Sequence, residues 1–218
     1  MTRAVLFDLD GTFADTAPDL GAALNHVRLQ HLLPALPLAV IRPQASHGSV
    51  GLLKAGFNIG PDAPQFNTLR AEFLAYYETH ICEHTVLFDG MAELLEELEL
   101  RGLPWGIVTN KPHRFTVPLM QALGYAERAA CMVSGDTCTQ AKPHPQPLLH
   151  AAKYLDVPPE ACIYLGDDLR DMQAAKAAGM TGIIAGYGYI GSPGEDSGWP
   201  ALASIDHPGQ LLMYLDRP

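Results

Sequence analysis

Cysteine is scarce and scattered in this chain of 218 residues: Cys82, Cys131, Cys138 and Cys162 stand far apart, with no CxxC pair. That excludes a disulfide-stapled scaffold and leaves reduced thiols of the kind a cytoplasmic protein carries. Cationic residues are few as well. Lysine and arginine number 14 against 24 acidic residues, a formal charge of -10. A nucleic-acid surface needs lysine and arginine in number, so that class of partner is excluded, although a local basic pocket for a small anion is not. No run of 18 apolar residues occurs, so no membrane helix is expected, and residues 1–10 lack the pattern of a signal peptide. Internal repeats, low-complexity tracts and sustained charge runs are also missing. What is present is ordinary globular composition, 48% hydrophobic. At this length a fold buries about 70% of the surface its unfolded chain exposes. One large domain, or a core carrying a small insert, is expected.

Ala4-Val5-Leu6-Phe7 is a short apolar run without alternation, the signature of a central parallel strand. Four later segments read the same way: Trp105 to Thr109, Cys131 to Ser134, Cys162 to Leu165 and Thr181 to Ala185. Helical patterns lie between them, over Met91 to Leu100, Arg114 to Leu123, Pro145 to Leu155 and Leu169 to Ala178. The last is alanine-rich and ends at Gly179, a good C-cap. Strands alternating with helices predict an α/β fold, a doubly wound and mostly parallel sheet. Residues 14–87 break this rhythm. Helices are expected over Asp19 to Leu33, Val50 to Phe57 and Asp62 to Ile81, with a polar loop from Arg42 to Gly48. The last helix carries Phe66, Leu69, Phe73, Tyr76 and Tyr77 as its apolar face. The reading is a core of residues 1–13 and 88–218 with an all-helical insert at 14–87. A Gly- and Tyr-rich loop follows from Gly186 to Gly194, and Trp199 to Tyr214 reads as a docking segment.

Chemistry-bearing residues gather where the strands end. Asp8 and Asp10 close the first strand, and Gly11 frees the turn behind them. Two carboxylates that close repel unless a cation lies between them, and magnesium prefers such oxygen ligands; they can also simply cap a turn. Asp167 and Asp168 end the fourth strand, with Asp171 one helical turn on. Asp168 alone reads equally as a helix N-cap. An oxygen-only donor set suits magnesium rather than zinc. Thr109 and Asn110, before Lys111, end the second strand, where a hydroxyl and free N–H groups can receive an anion. Lys142 lies between two such strands in a loop stiffened by Pro143 and Pro145. Together these are the parts of a phosphoryl-transfer site.

The ordered set Asp8-Leu9-Asp10-Gly11-Thr12, Thr109-Asn110, Lys142-Pro143 and Gly166-Asp167-Asp168-Leu169-Arg170-Asp171 resembles the haloacid dehalogenase-like phosphatases, across essentially the whole chain. The insert resembles that family's small cap. The resemblance implies Asp8 as nucleophile and Asp10 as general acid and base. It implies magnesium held by Asp8, the Asp10 backbone carbonyl and Asp167, with Asp171 and Asp168 behind them. Thr109 and Asn110 would hold phosphoryl oxygens, and Lys142 would neutralise phosphate and nucleophile. The second aspartate argues for phosphotransfer rather than dehalogenation; a sugar phosphomutase shares the motifs. In the insert, Arg42 would clamp a substrate carboxylate, and His47 would donate a hydrogen bond to it or simply cap a helix. The segment Asp15-Thr16-Ala17-Pro18-Asp19 is similar to phosphoglycolate phosphatases. The Gly186 to Ile190 loop and the Trp199 segment are similar to N-acetylmuramic acid 6-phosphate phosphatases, where Tyr187 or Tyr189 would stack on the sugar or merely pack the loop. The expected substrate is a small carboxylate-bearing phosphomonoester, 2-phosphoglycolate first, acted on in the cytoplasm by a monomer or homodimer.

Overall fold

The computed structural model describes residues 1–191, 194 and 196–215; Ser192 and Pro193 of the expected Gly186 to Gly194 loop lie outside them. In chain order the strands are β1 (Ala4–Phe7), β2 (Ala14–Asp15), β3 (Val86–Leu87), β4 (Trp105–Val108), β5 (Cys131–Val133), β6 (Cys162–Gly166), β7 (Thr181–Ala185) and β8 (Ala203–Ile205). The helices are α1 (Ala17–Gln30), α2 (Leu38–Ile41), α3 (Gly48–Phe57), α4 (Phe66–Thr79), α5 (Met91–Leu100), α6 (His113–Ala122), α7 (Gln146–Tyr154) and α8 (Leu169–Ala178).

Six strands form one parallel sheet in the order β5-β4-β1-β6-β7-β8. The chain winds outward from β1 to β5, then returns to β6 and winds the other way. The reversal occurs at β1, and the crevice beyond its carboxyl end is where such sheets bind ligands. Successive β1 side chains explain the two layers. Val5 and Phe7 enter a core with Leu94, Leu95 and Leu98 of α5 and with Leu119 of α6. Ala4 and Leu6 enter the opposite core with Leu148 and Ala151 of α7 and with Ala174 and Ala175 of α8. Apolar burial on both faces is what strands without alternation require. Phe7, Phe13, Trp105 and Tyr125 interlock in the first core with ring centroids 5.6 to 6.5 Å apart.

Each of the five expected strands forms. A sixth, β8, lies within the expected docking segment, which ends in a 3-10 turn at Pro208–Tyr214. The helix expected from Asp62 begins only at Phe66, and Tyr76 on its face is half-buried, stacked between His26 and His80. The polar loop expected at Arg42 to Gly48 is a 3-10 turn over Arg42–His47.

Helices α1 to α4 pack around their own apolar cluster, built on Leu24, Leu52, Phe73 and Tyr77. Phe115 of α6 and Tyr189 also enter it, so this layer's core is continuous with the sheet's side of the molecule. The chain enters and leaves through one antiparallel ribbon, Ala14 opposite Leu87 and Asp15 opposite Val86. Buried Asp19, in the first turn of α1, accepts hydrogen bonds from the Thr85 amide (2.8 Å), the Thr85 hydroxyl (2.7 Å) and the His84 amide (3.0 Å). Entry and exit are thus tied a second time. Among the described residues no helix is long and apolar enough to cross a membrane.

Candidate active site

The carboxyl ends of β1, β4 and β6 converge on one cavity of about 270 Å³. Asp8 follows β1 directly, and its amide donates to the Leu165 carbonyl of β6 (2.9 Å), which fixes where it leaves the sheet. Gly11 takes the left-handed conformation (φ 82°), and a Cβ there would overlap the Asp167 carboxylate. The turn therefore needs glycine on two counts.

Asp8, Asp167 and Asp171 are buried, and one oxygen from each lies within 4.8 Å of the others. Lys142 is buried among them. Its Nζ lies 2.7 Å from Asp171 Oδ1 and 2.9 Å from Asp8 Oδ1, and it donates to the Val108 carbonyl (3.0 Å) and the Tyr164 hydroxyl (2.7 Å). Apart from that ammonium, buried Asp8 Oδ1 has no hydrogen-bond partner among the described residues. Burial works against the ammonium, but Asp171 and Asp8 outweigh it and hold Lys142 above the ordinary lysine range. Burial and Asp8 push the Asp171 carboxyl up to about 7 despite Lys142. Burial, then Asp8 and Asp171, push Asp167 well above the usual carboxylate range. Three buried carboxylates against one ammonium is an excess of negative charge. Three buried carboxylates this close, a hard and oxygen-only donor set, fit a divalent cation there.

Asp167 is also held from three sides. Thr12 Oγ1 donates to its Oδ1 (3.0 Å), while Ser46 Oγ (2.8 Å) and the Tyr189 amide (3.0 Å) donate to its Oδ2. Ser46 comes from the helical layer, so that layer is closed onto the sheet edge. Arg170 strengthens the closure by donating to the Ser46 carbonyl (2.9 Å). Asp168 is the N-cap of α8. Its Oδ1 accepts from the Arg170 amide (2.8 Å), and its own amide donates to Asp171 Oδ2 (3.1 Å), a capping box. Burial would raise Asp168, but the bonds from Arg170 outweigh it and hold the carboxyl low.

Asp10 points elsewhere. Its Oδ1 accepts from Thr16 Oγ1 (2.6 Å) and from Lys111 Nζ (2.9 Å), away from the carboxylate trio's own ammonium. Lys111 is buried, and its Nζ sits 4.7 Å from the centre of the Tyr77 ring of α4. The Tyr77 hydroxyl is buried without a hydrogen-bond partner, and burial pushes it up to about 12. Thr109 lines the cavity, and its hydroxyl accepts from the Lys111 amide (3.2 Å). Asn110 also lines it, and its side chain forms a reciprocal pair with the Lys142 backbone (2.9 and 3.0 Å), fixing the loop that carries the lysine.

The structure thus brings together Asp8, Asp10, Thr109, Asn110, Lys142, Asp167, Asp168 and Asp171. His47 also lines the cavity, with Nε2 3.5 Å from Asp168 Oδ2. Arg42 does not: its guanidinium donates to Asp15 Oδ1 (2.7 Å) and lies over the Tyr189 ring. The expected carboxylate clamp is therefore turned into the ribbon at the base of the helical layer. Neither tyrosine of the Gly186 loop lines the cavity. Tyr189 is buried, and its hydroxyl donates to Asp15 (2.7 Å) and accepts from the Ala17 amide (2.8 Å). The Tyr187 hydroxyl donates to the Thr12 carbonyl (3.1 Å). Both pack the loop. Sequence reasoning gave no role to Lys111, Ser46, Tyr164 or Arg70. Lys111 had a signal, as a scarce lysine adjoining the Thr109-Asn110 pair; the others are placed only by tertiary folding.

The model of the haloacid dehalogenase-like hydrolases matches residues 5–185. The chain belongs to that family. The N-acetylmuramic acid 6-phosphate phosphatase of Pseudomonas aeruginosa is 42% identical over 99% of this chain and 95% of its own. A phosphoglycolate phosphatase of Xanthomonas campestris is 43% identical over 96% of this chain and 94% of its own. Among solved structures, CbbY from Rhodobacter sphaeroides in complex with phosphate is 25% identical, with a TM-score of 0.77 over 100% of both chains. A phosphoglycolate phosphatase predicted in Haemophilus somnus, also 25% identical, superimposes with a TM-score of 0.84 over 98% of this chain and 97% of its own.

Proposed function

We propose that this protein hydrolyses a small phosphomonoester carrying a carboxylate, by way of a phosphorylated Asp8. An Asp8 carboxylate oxygen attacks phosphorus, the bond from phosphorus to the ester oxygen breaks, and Asp10 gives its proton to the departing alkoxide. Asp10 then takes a proton from water as that water attacks phosphorus, which releases phosphate and restores Asp8. Lys142 offsets charge on the nucleophile and the phosphoryl oxygens, while Thr109 and the Asn110 backbone bind those oxygens. Asp8, Asp167 and the Asp10 carbonyl would hold magnesium, with Asp171 behind. When bound, the ion offsets the carboxylate excess and the negative charge of the phosphate. Residues 14–87 act as a cap and residues 1–13 with 88–218 as the catalytic core, in a cytoplasmic monomer or homodimer.

The observation that carries this reading is the division of labour between the two aspartates. Asp8 shares Lys142 with Asp171, while Asp10 is held by Thr16 and Lys111. The pairing separates a nucleophile from a proton carrier. Acid quench of turnover with magnesium, followed by peptide mapping, should find phosphate on Asp8. Turnover with phosphate trapped elsewhere, or nowhere, would reject the mechanism.

For the substrate, 2-phosphoglycolate remains the first reading, since phosphoglycolate phosphatases recur among the relatives from several genera. A second reading, N-acetylmuramic acid 6-phosphate, is favoured by the cavity. Its 270 Å³ and its wall of Leu20, Val50, Phe73, Leu74 and Phe115 exceed what a two-carbon acid can fill. Comparing kcat/KM for the two esters on one preparation separates them: a 100-fold preference is about 2.7 kcal/mol of differential transition-state binding.

A further inference from the structure

The cations around the cavity are unequally engaged. Lys111 is paired with Asp10, Lys142 with Asp8 and Asp171, and Arg170 with Asp168. Arg70 of α4 also lines the cavity, yet has no acidic partner among the described residues. Its one hydrogen bond runs from Nε to Ser49 Oγ (3.1 Å). That bond steadies the guanidinium and leaves its two terminal nitrogens, the end of the fork that grips a carboxylate in two parallel bonds, without a partner among the described residues.

Helix α4 sets the distance at which that fork works. Tyr77 marks the floor, with its ring over Lys111 beside Asp10 and its buried hydroxyl without an acceptor. Arg70 lies seven residues earlier on the same face, two turns and about 10 Å along the axis. Helical side chains lean toward the N-terminus, which carries the Arg70 head still further from the floor. A second hollow of about 270 Å³ on the other side of Arg70 and Leu74 is walled by Arg114 and by Glu78, which makes no ion pair with Arg70 among the described residues.

We infer that Arg70 receives the substrate's carboxylate, and that its place two helical turns from the phosphate floor selects phosphomonoesters whose carboxylate stands about one sugar ring from the phosphate. A two-carbon acid is too short to touch both ends. This rests on the phosphatase reading and on the second of its two substrate readings, the amino-sugar phosphate, and moves the clamp from Arg42 to Arg70.

The test measures kcat and KM with magnesium for three esters: N-acetylmuramic acid 6-phosphate, N-acetylglucosamine 6-phosphate and 2-phosphoglycolate. The second is the same sugar without the carboxylate-bearing arm. Wild type should favour the first. Arg70→Gln should lower kcat/KM for it by about 10- to 100-fold, chiefly through KM, the scale of a lost charge-assisted pair. The ratio between the two sugars should collapse, because the ester without a carboxylate never used that pair. Arg70→Lys, which keeps the charge but not the fork, should recover part of the ratio. Thermal melting of each variant separates binding from folding, and Arg70 is exposed. Wild-type preference for 2-phosphoglycolate, an unchanged sugar ratio in Arg70→Gln, or a collapse in Arg42→Gln instead would overturn the assignment while leaving the phosphatase reading intact. A protein inert on all three esters would overturn both.

Discussion

Replacing Asp167 by asparagine should make the metal-free protein more stable, not less. Oxygens of Asp8, Asp167 and Asp171 lie within 4.8 Å of one another. At an effective dielectric constant of about 20, two unit charges at that distance repel by about 3 kcal/mol. Burial first, and this repulsion second, makes the metal-free fold keep protons, so Asp167 is held well above the usual carboxylate range and Asp171 is pushed up to about 7. Groups with raised values stabilise the fold fully below the unfolded carboxyl range near pH 4, and that contribution is lost as pH rises through the folded values. Metal-free protein should therefore weaken as pH rises from about 4 toward 7. An asparagine side chain cannot ionise. It forfeits one of the hydrogen bonds accepted from Thr12, Ser46 and the Tyr189 amide, roughly 1 kcal/mol. The net expectation is a gain of about 2 kcal/mol near pH 8, or roughly 4 to 8 °C in Tm for a chain of this size. Near pH 5.5 the difference should shrink toward zero. Magnesium at about 100 times its Kd should add about 2.7 kcal/mol to wild type and much less to the variant. Scanning calorimetry in chelator and in magnesium, at both pH values, reads all of this. A variant that melts below wild type near pH 8 in chelator, or gains as much from magnesium, would refute the charge-crowding argument.

Further outcomes follow from the same geometry. Asp8→Asn, nearly isosteric, should lower kcat by about 10⁴-fold or more while circular dichroism and Tm stay at or above wild type. Lys142→Met removes the ammonium shared by Asp8 and Asp171; urea unfolding should show a loss of about 3 to 5 kcal/mol, with no detectable turnover. Gly11→Ala places a Cβ against Asp167 in a left-handed turn, so turnover should fall by an order of magnitude or more, and the magnesium-dependent rise in Tm should fall with it. Tyr189→Phe strips the hydroxyl from Asp15 and the Ala17 amide, and chemical denaturation should record a loss of about 1 to 2 kcal/mol.

The sheet was legible because buried parallel strands carry a local signature. Runs such as Ala4 to Phe7 and Cys162 to Leu165 are apolar at every position, since both faces are covered. Strand β8 was not legible. Ala203-Ser204-Ile205 is short, borders the sheet's edge and is partly exposed, so its composition resembles a loop. The Asp8, Asp10, Asp167 and Asp171 positions could be read because turns at strand ends follow the chain directly. The specificity side of the site could not. Whether Arg42 or Arg70 faces the cavity depends on how helices α1 to α4 pack, and both arginines sit in equally plausible polar contexts. Asp15, which captures Arg42, lies 27 residues away along the chain. Lys111 falls between these cases: its position beside Asn110 was evident, but its partner Asp10 is 101 residues distant.

The ribbon that joins Ala14 to Leu87 makes the helical layer a detachable piece of architecture. Because the outgoing and returning chains are hydrogen-bonded neighbours, the sheet's own connectivity is already complete at that point. A tight two-residue turn could replace everything from Thr16 to Thr85 without moving β1 or α5. The sheet would then meet water where Phe115 and Tyr189 now lie under helices. An excised core would need polar residues at those two positions before it stayed dispersed. The same juncture is where a different helical layer, of any size, could be spliced in to give this floor a new clientele.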